Sequence, residues 1–186
     1  MQSNTVPDLV TLAQGGNVEA TGQLYERHYQ SIFRYLYYRT GDQPTAEDLT
    51  ADVFVKMVQA LPGYRVKAAA FRTWLFQIAR NLSIDHFRRW KAHPQEHMDD
   101  GFPSFGLHPE AAADKNLSAK ALQKALAQLS DEQRDVVVMR FIEGMPLAEV
   151  AAALHKSEDA VKGLQRRGLM ALRELLEPTE EPHGAT

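Results

Sequence analysis

Apolar residues recur at spacings of three and four along most of this 186-residue chain, in blocks cut by Gly and Pro. An α-helix completes a turn in about 3.6 residues, so each block puts its apolar residues on one face. No segment alternates apolar and polar residues as a half-buried strand does. The pattern predicts an all-α fold built from amphipathic helices. A first helix, near Pro7–Gln14, stops at Gly15-Gly16. A second covers about Val18–Thr40, with Leu24, Tyr25, Ile32, Phe33, Leu36 and Tyr37 apolar, and breaks at Gly41-Asp42-Gln43-Pro44. Thr45 is the predicted N-cap of a third helix, with Glu47 and Asp48 beside its positive end and Leu49, Val53, Phe54 and Met57 on one face. After Pro62-Gly63 a fourth helix runs about Phe71–Trp90, with Phe71, Trp74, Leu75, Ile78 and Leu82 inward.

The residues from Ala92 to Asn116 hold three prolines, two glycines and few periodic apolar residues, and read as a linker. Helices resume at Leu117–Leu129. Ser130-Asp131-Glu132-Gln133 fits a capping box for a helix running to about Glu143. Gly144-Met145-Pro146 turns the chain into a short helix, Leu147–Leu154. His155-Lys156-Ser157 is a tight connection, and Ser157 caps a last helix to about Leu176 with Val161, Leu164, Leu169 and Leu172 inward. The organisation expected is two helical domains, 1–91 and 117–178, joined by a flexible acidic linker, 92–116, with a tail at 179–186.

Charge is distributed unevenly. Between Phe71 and Lys91 there are five basic residues against Asp85 alone. Between Ala92 and Lys115 there are five acids against Lys115. Between Lys156 and Arg173 there are five basic residues against Glu158 and Asp159. Two basic helical segments thus flank an acidic spacer, although the net charge is only −3.

A short helix, a three-residue turn and a longer basic helix form a helix-turn-helix, whose second helix suits the DNA major groove. Lys162, Arg166 and Arg167 share one side of it and reach bases or phosphates; the plainer reading is a solvated basic face. In the fourth helix, basic residues interleave with Phe71, Trp74 and Phe76. They make either a stacking surface for nucleic acid or part of the core, and Phe71 and Trp74 are read as core.

These motifs together resemble the extracytoplasmic-function (ECF) sigma factors of bacterial RNA polymerase, of the sigma-70 family. The resemblance spans about Asp8–Leu176. It rests on Leu24-Tyr25-Glu26-Arg27-His28-Tyr29, on Ala46 through Phe54, on Phe71 through Asn81, on Leu129 through Arg134, on Arg140-Phe141-Ile142-Glu143-Gly144, and on Glu149-Val150-Ala151 followed by Ala160-Val161-Lys162. It implies a transcription initiation factor that binds core RNA polymerase and directs it to −35 and −10 promoter elements, opening the −10 region.

The resemblance also implies roles. Asp48, Asp52 and Phe54 would contact the β′ coiled coil of core polymerase, with the β flap as a further partner surface. Alternatively, Asp48 only complements its helix and Phe54 only fills the core. Tyr64, Arg65 and Lys67 fall in the −10 specificity loop. Arg80, Asn81, Asp85, Arg88 and Arg89 would meet backbone or flipped bases, with Asp85 alternatively pairing Arg88 or Arg89. Ser157, Lys162, Gly163, Arg166 and Arg167 fall in the −35 reader. An anti-sigma factor is an implied partner. The linker can stretch to roughly 80 Å, enough to span two promoter elements. His155 stands where the family usually has Gly, and Glu158 and Asp159 stand where it more often has small residues.

Other classes are disfavoured. Zero Cys excludes disulfides, thiol catalysis and Cys-ligated zinc. Of seven His, only His93 and His97 have a metal-like spacing, and they lie in the Pro-containing linker. Neither an enzyme nor a metal site nor a cofactor is expected. No run approaches the roughly 18–20 apolar residues of a membrane span, and no signal peptide is visible, so a cytoplasmic address is expected. The remaining alternative is a helix-turn-helix regulator that holds an operator without polymerase; it leaves the motifs of the first domain without a role.

Overall fold

The computed structural model describes residues 5–65, 70–92 and 113–176. Among these, every regular element is helical. The helices are α1 (Val6–Gln14), α2 (Val18–Thr40), α3 (Gln43–Ala60), α4 (Ala70–Ala92), α5 (Ala113–Gln128), α6 (Asp131–Val137), α7 (Leu147–Leu154) and α8 (Glu158–Leu176). A 3-10 turn, Leu61–Gly63, follows α3, and a π-helical turn, Val138–Ile142, extends α6.

Local chemistry sets the boundaries. The Asp8 carboxylate accepts from the Thr5 amide at 2.9 Å and opens α1. Asn17 caps α2 by accepting from the Ala20 amide at 2.8 Å. Gly41, at φ 76°, ends α2 in the left-handed region that glycine enters without a Cβ clash. The cap of α3 is Asp42 rather than the expected Thr45: its carboxylate accepts from the Thr45 amide at 2.9 Å. Pro44 decides this, because a proline fits the first turn, where no amide is required. The Ser130–Gln133 capping box forms as expected, with bonds of 3.1 and 3.3 Å. The helix after it reaches Ile142 only by widening, so that the Glu143 amide reaches back to the Val138 carbonyl at 2.9 Å. Helix α5 begins at Ala113, inside the stretch read as linker; Ala-rich sequence after Pro109 favours helix.

In the N-terminal half, α1 packs on α2, and α2, α3 and α4 enclose Leu24, Ile32, Tyr35, Leu36, Leu49, Val53, Met57, Leu75 and Phe76. In the C-terminal half, α5, α6 and α7 pack on α8 around Leu126, Val136, Met139, Met145, Val150, Val161 and Leu172. The stripe of α8 includes Gly168, buried against α6, while Leu169 is 39% exposed. The expectation that Leu169 points inward fails: positions 161, 164, 168 and 172 complete the face, and Leu169 falls beside it.

The two halves also touch each other: α4 packs on α7, and polar groups meet across the rest of the contact. Asp135 on α6 receives Arg39, Arg80 and the Tyr35 hydroxyl; Glu143 receives Arg34, Arg72 and Ser31. Gln123 on α5 bonds Tyr37 and the Gly41 carbonyl, and Gln77 on α4 donates to the Ala152 carbonyl on α7 at 3.0 Å. Sequence alone suggested two tethered domains; folded, they lie against one another, with two carboxylates of one half meeting four guanidiniums of the other.

Candidate nucleic-acid and protein interfaces

The α7–α8 turn closes as a Schellman motif. The Lys156 amide bonds the Ala151 carbonyl at 2.9 Å and the His155 amide bonds Ala152 at 3.3 Å. This requires His155 to adopt φ 53°, the one positive φ among described non-glycine residues. Ser157 caps α8, its hydroxyl accepting from the Ala160 amide at 3.2 Å. The motif thereby fixes the angle at which α8 leaves α7. Lys156 is further tied to Glu132 on α6 at 2.7 Å.

Along α8, Lys162, Arg166 and Arg167 are exposed on the side away from Val161 and Leu164. Lys162 leans on Asp159 at 3.1 Å, so Asp159 orients it while the pair stays solvated. A β-carbon at Gly163 would meet Arg167 Nη1 at 3.4 Å, so the missing side chain leaves room for Arg167 along the helix. Ser157, Lys162, Gly163, Arg166 and Arg167 thus share one helix and its cap.

The α3 surface is different in kind. Asp48 and Asp52 are exposed. Phe54 is only 6% exposed and packs edge-on against Tyr25, ring centres 4.7 Å apart. It forms the floor of a groove of about 620 Å³ lined by Tyr25, Tyr29, Ala51, Val55 and Val58. The apolar atoms open to a partner therefore belong to Tyr25, Val55 and Val58, which are 43, 55 and 51% exposed. Sequence reasoning missed the two valines. Their signal was present: both lie off the Leu49–Val53–Met57 stripe that fills the core.

At the end of α3, the Gln14 side chain donates to the Leu61 carbonyl at 3.0 Å and the Tyr64 carbonyl at 2.5 Å. Tyr64 lies against Trp74, ring centres 4.6 Å apart, and against Phe71 at 5.7 Å. Arg65 is exposed. Lys67 lies outside the described residues. His28 lies tilted against Phe71, ring centres 5.4 Å apart, and its Nε2 is buried without a hydrogen-bond partner among the described residues. Burial, with the Arg72 and Arg27 charges, pushes its imidazole down to about 4, so it is neutral at pH 7.

On α4, Phe71 is buried and Trp74 half-buried, as read from the sequence; Phe76 is wholly buried, with Arg72 over its ring at 5.5 Å. Phe76 is therefore core, not a stacking platform. Asn81, Asp85, Arg88 and Arg89 are exposed. Asp85 pairs with Arg88 at 3.4 Å, and Arg89 Nε bonds the Asp85 carbonyl at 3.4 Å. Arg80 stands apart from them, with its guanidinium on Asp135 at 3.0 Å. Among the described residues no cluster of His, Asp and Glu is arranged to hold a metal ion, and no helix is long and apolar enough to cross a membrane.

The helix-turn-helix with its basic second helix, joined to a helical body bearing an acidic and apolar face, defines a helical DNA-binding protein with a separate protein-docking surface. Residues 24–92 match the Sigma-70 region 2 family and residues 125–174 match Sigma-70, region 4. The chain is 36% identical over 173 residues to the ECF RNA polymerase sigma factor BldN of Streptomyces coelicolor, covering 91% of this chain and 65% of that relative's length. It is 31% identical over 171 residues to the ECF RNA polymerase sigma factor SigX of Bacillus subtilis, covering 88% of each. Its fold is similar to CnrH in a complex with the cytosolic domain of CnrY, with TM-score 0.69, 29% identity and 90% of this chain and 94% of that one covered. The sigma factor RpoE of Bartonella quintana, solved with the anti-sigma factor NepR, shares the fold at TM-score 0.73 and 22% identity, covering 87% of this chain and 99% of that one. The chain belongs to the ECF RNA polymerase sigma factors, transcription initiation factors of the sigma-70 family.

Proposed function

We propose that α3 docks the chain on core RNA polymerase, α4 with the residues before it engages the −10 element, and α8 reads the −35 element. The observation that carries this is the coexistence, on one chain, of two separate exposed faces. One is acidic and apolar, with Asp48, Asp52, Val55 and Val58; the other is cationic, with Lys162, Arg166 and Arg167. Acids around an apolar groove suit a basic partner helix such as the β′ coiled coil. The β flap is a further docking surface. Cations on one side of a recognition helix suit the major groove. Tyr64, Arg65, Lys67, Asn81, Asp85, Arg88 and Arg89 serve the −10 region, with Arg80 available once it leaves Asp135. This division of labour assigns 1–91 to core and −10 contacts and 117–178 to the −35 element, with the start of α5 at Ala113 belonging to the second unit.

The chain itself catalyses nothing; RNA synthesis belongs to the polymerase, in the cytoplasm. An anti-sigma factor is a further partner in this reading, in keeping with the RpoE of Bartonella quintana having been solved with the anti-sigma factor NepR. The test is run-off transcription. Purified chain and bacterial core polymerase are incubated with fragmented genomic DNA, and transcript starts are sequenced. Discrete starts sharing two upstream motifs establish the reading. Specific DNA binding without any starts would instead establish an operator-binding regulator.

A further inference from the structure

We propose that Arg34, Arg39, Arg72 and Arg80 form a surface for a nucleic-acid backbone, and that Asp135 and Glu143 fill it in the closed chain. The inference deepens the reading of α4 as the −10 contact element and rests on it. Every side-chain donor to Asp135 and Glu143 named here lies on α2 or α4, and both carboxylates lie in the C-terminal half. Glu143 accepts from Arg34 Nε at 2.6 Å, Arg34 Nη2 at 3.1 Å and Ser31 Oγ at 2.6 Å, with Arg72 Nη2 at 3.5 Å. Arg72 also donates to the Glu143 carbonyl at 2.5 Å. Asp135 accepts from Arg80 Nε at 3.0 Å, the Tyr35 hydroxyl at 2.9 Å and Arg39. Forked guanidinium contacts of this kind take phosphate as readily as carboxylate.

The contact is suited to opening. Pairing of buried charges is offset by the water they give up, so parting the halves rehydrates both signs. The charge cluster is the part of this contact that parting the halves costs least, because water takes over its hydrogen bonds. The masking is one-sided. Arg80 is held at the interface, whereas Lys162, Arg166 and Arg167 remain exposed on α8. The closed chain therefore presents its helix-turn-helix to duplex DNA while the arginine surface stays filled until the halves part.

Because the chain has no Cys, dye pairs attach cleanly to Lys56→Cys and Glu174→Cys, both exposed. Energy transfer then reads closure, and fluorescein-labelled oligo-thymidine reads backbone binding. Asp135→Asn with Glu143→Gln is expected to lower transfer and raise oligo-thymidine affinity by roughly tenfold at low salt. Adding Arg34→Gln and Arg72→Gln to the opened chain should remove the gain. Glu143→Gln alone serves if the double variant fails to fold, since Arg34 and Arg72 are partly solvated. Unchanged transfer would overturn the closing role of the acids. Lower transfer with no gain in oligo-thymidine binding would overturn the surface. Either failure is separate from failure of the sigma-factor reading, which transcription with core polymerase decides.

Discussion

Gly168 on α8 faces Val137 at the end of α6 so closely that a β-carbon on the glycine would lie 3.0 Å from Val137 Cγ2. The same position would meet Gln133 Cβ at 3.5 Å and its carbonyl at 3.6 Å. The two helices pack so closely that any β-carbon there would have to push the Val137 side chain aside by a few tenths of an ångström. Gly168→Ala is expected to lose about 1 kcal/mol or more despite the better helix propensity of Ala, because a packed side chain must shift. Gly163→Ala meets only the flexible end of Arg167 and is expected to gain up to about 1 kcal/mol. Urea unfolding of both variants checks the opposite signs.

His155 holds a left-handed backbone that a β-carbon disfavours. His155→Gly keeps the Schellman bonds and removes that strain. The expected gain is about 0.5–1 kcal/mol, after the greater freedom of glycine in the unfolded chain is deducted. A raised denaturation midpoint with the helix-turn-helix spectrum unchanged is the readout; a lowered midpoint would mean that His155 makes a contact worth more than the strain.

Arg134 fastens the start of α6 to the end of α5. Its guanidinium donates to the carbonyls of Leu126, Ala127 and Leu129 at 2.8, 2.9 and 3.2 Å, and to the Arg39 carbonyl across the interface at 3.2 Å. Arg134→Met strands these acceptors and is expected to cost about 2–4 kcal/mol. Arg134→Lys should recover little, since a point cation cannot match a planar fork. Thermal unfolding of the two variants distinguishes fork from charge.

His28 makes stability depend on pH. Its imidazole stands at about 4 in the folded chain against 6.5 when free. Above pH 6.5 it is neutral in both states and has no effect. As pH falls from there towards 4, the unfolded chain takes up a proton that the folded chain refuses, so stability falls; below 4 the slope from this group ends. The loss is about 2 kcal/mol, allowing for the part of the ring that meets solvent. His28→Gln should flatten the difference between unfolding midpoints at pH 7 and pH 4.5. An unaltered slope would place the acid sensitivity elsewhere.

Val58 lies in the α3 groove with half its surface open. Val58→Glu is expected to change stability by less than about 0.5 kcal/mol, since the side chain already meets solvent and Glu suits an exposed helix position. It should weaken competition for core polymerase by tenfold or more, because the partner would have to desolvate a carboxylate. Wild-type competition would remove the groove from the docking surface.

The chain's own order of residues specified the helices, the breaks at Gly41, Gly144 and Pro146, the capping box at Ser130 and the helix-turn-helix, because period, turn chemistry and caps act over a few residues. It misplaced one cap, since Asp42 and Thr45 both suit the role and Pro44 settles it. Tertiary structure decided what local pattern leaves open. Period shows which face of a helix is apolar, not which neighbour covers it. Phe54 therefore became floor and Val58 became surface, and Gly168 rather than Leu169 completed the stripe on α8. The meeting of Arg80 with Asp135, and of Arg34 with Glu143, joins residues far apart in the chain. No spacing rule reaches that far, and only the packing of the two halves brings those charges together.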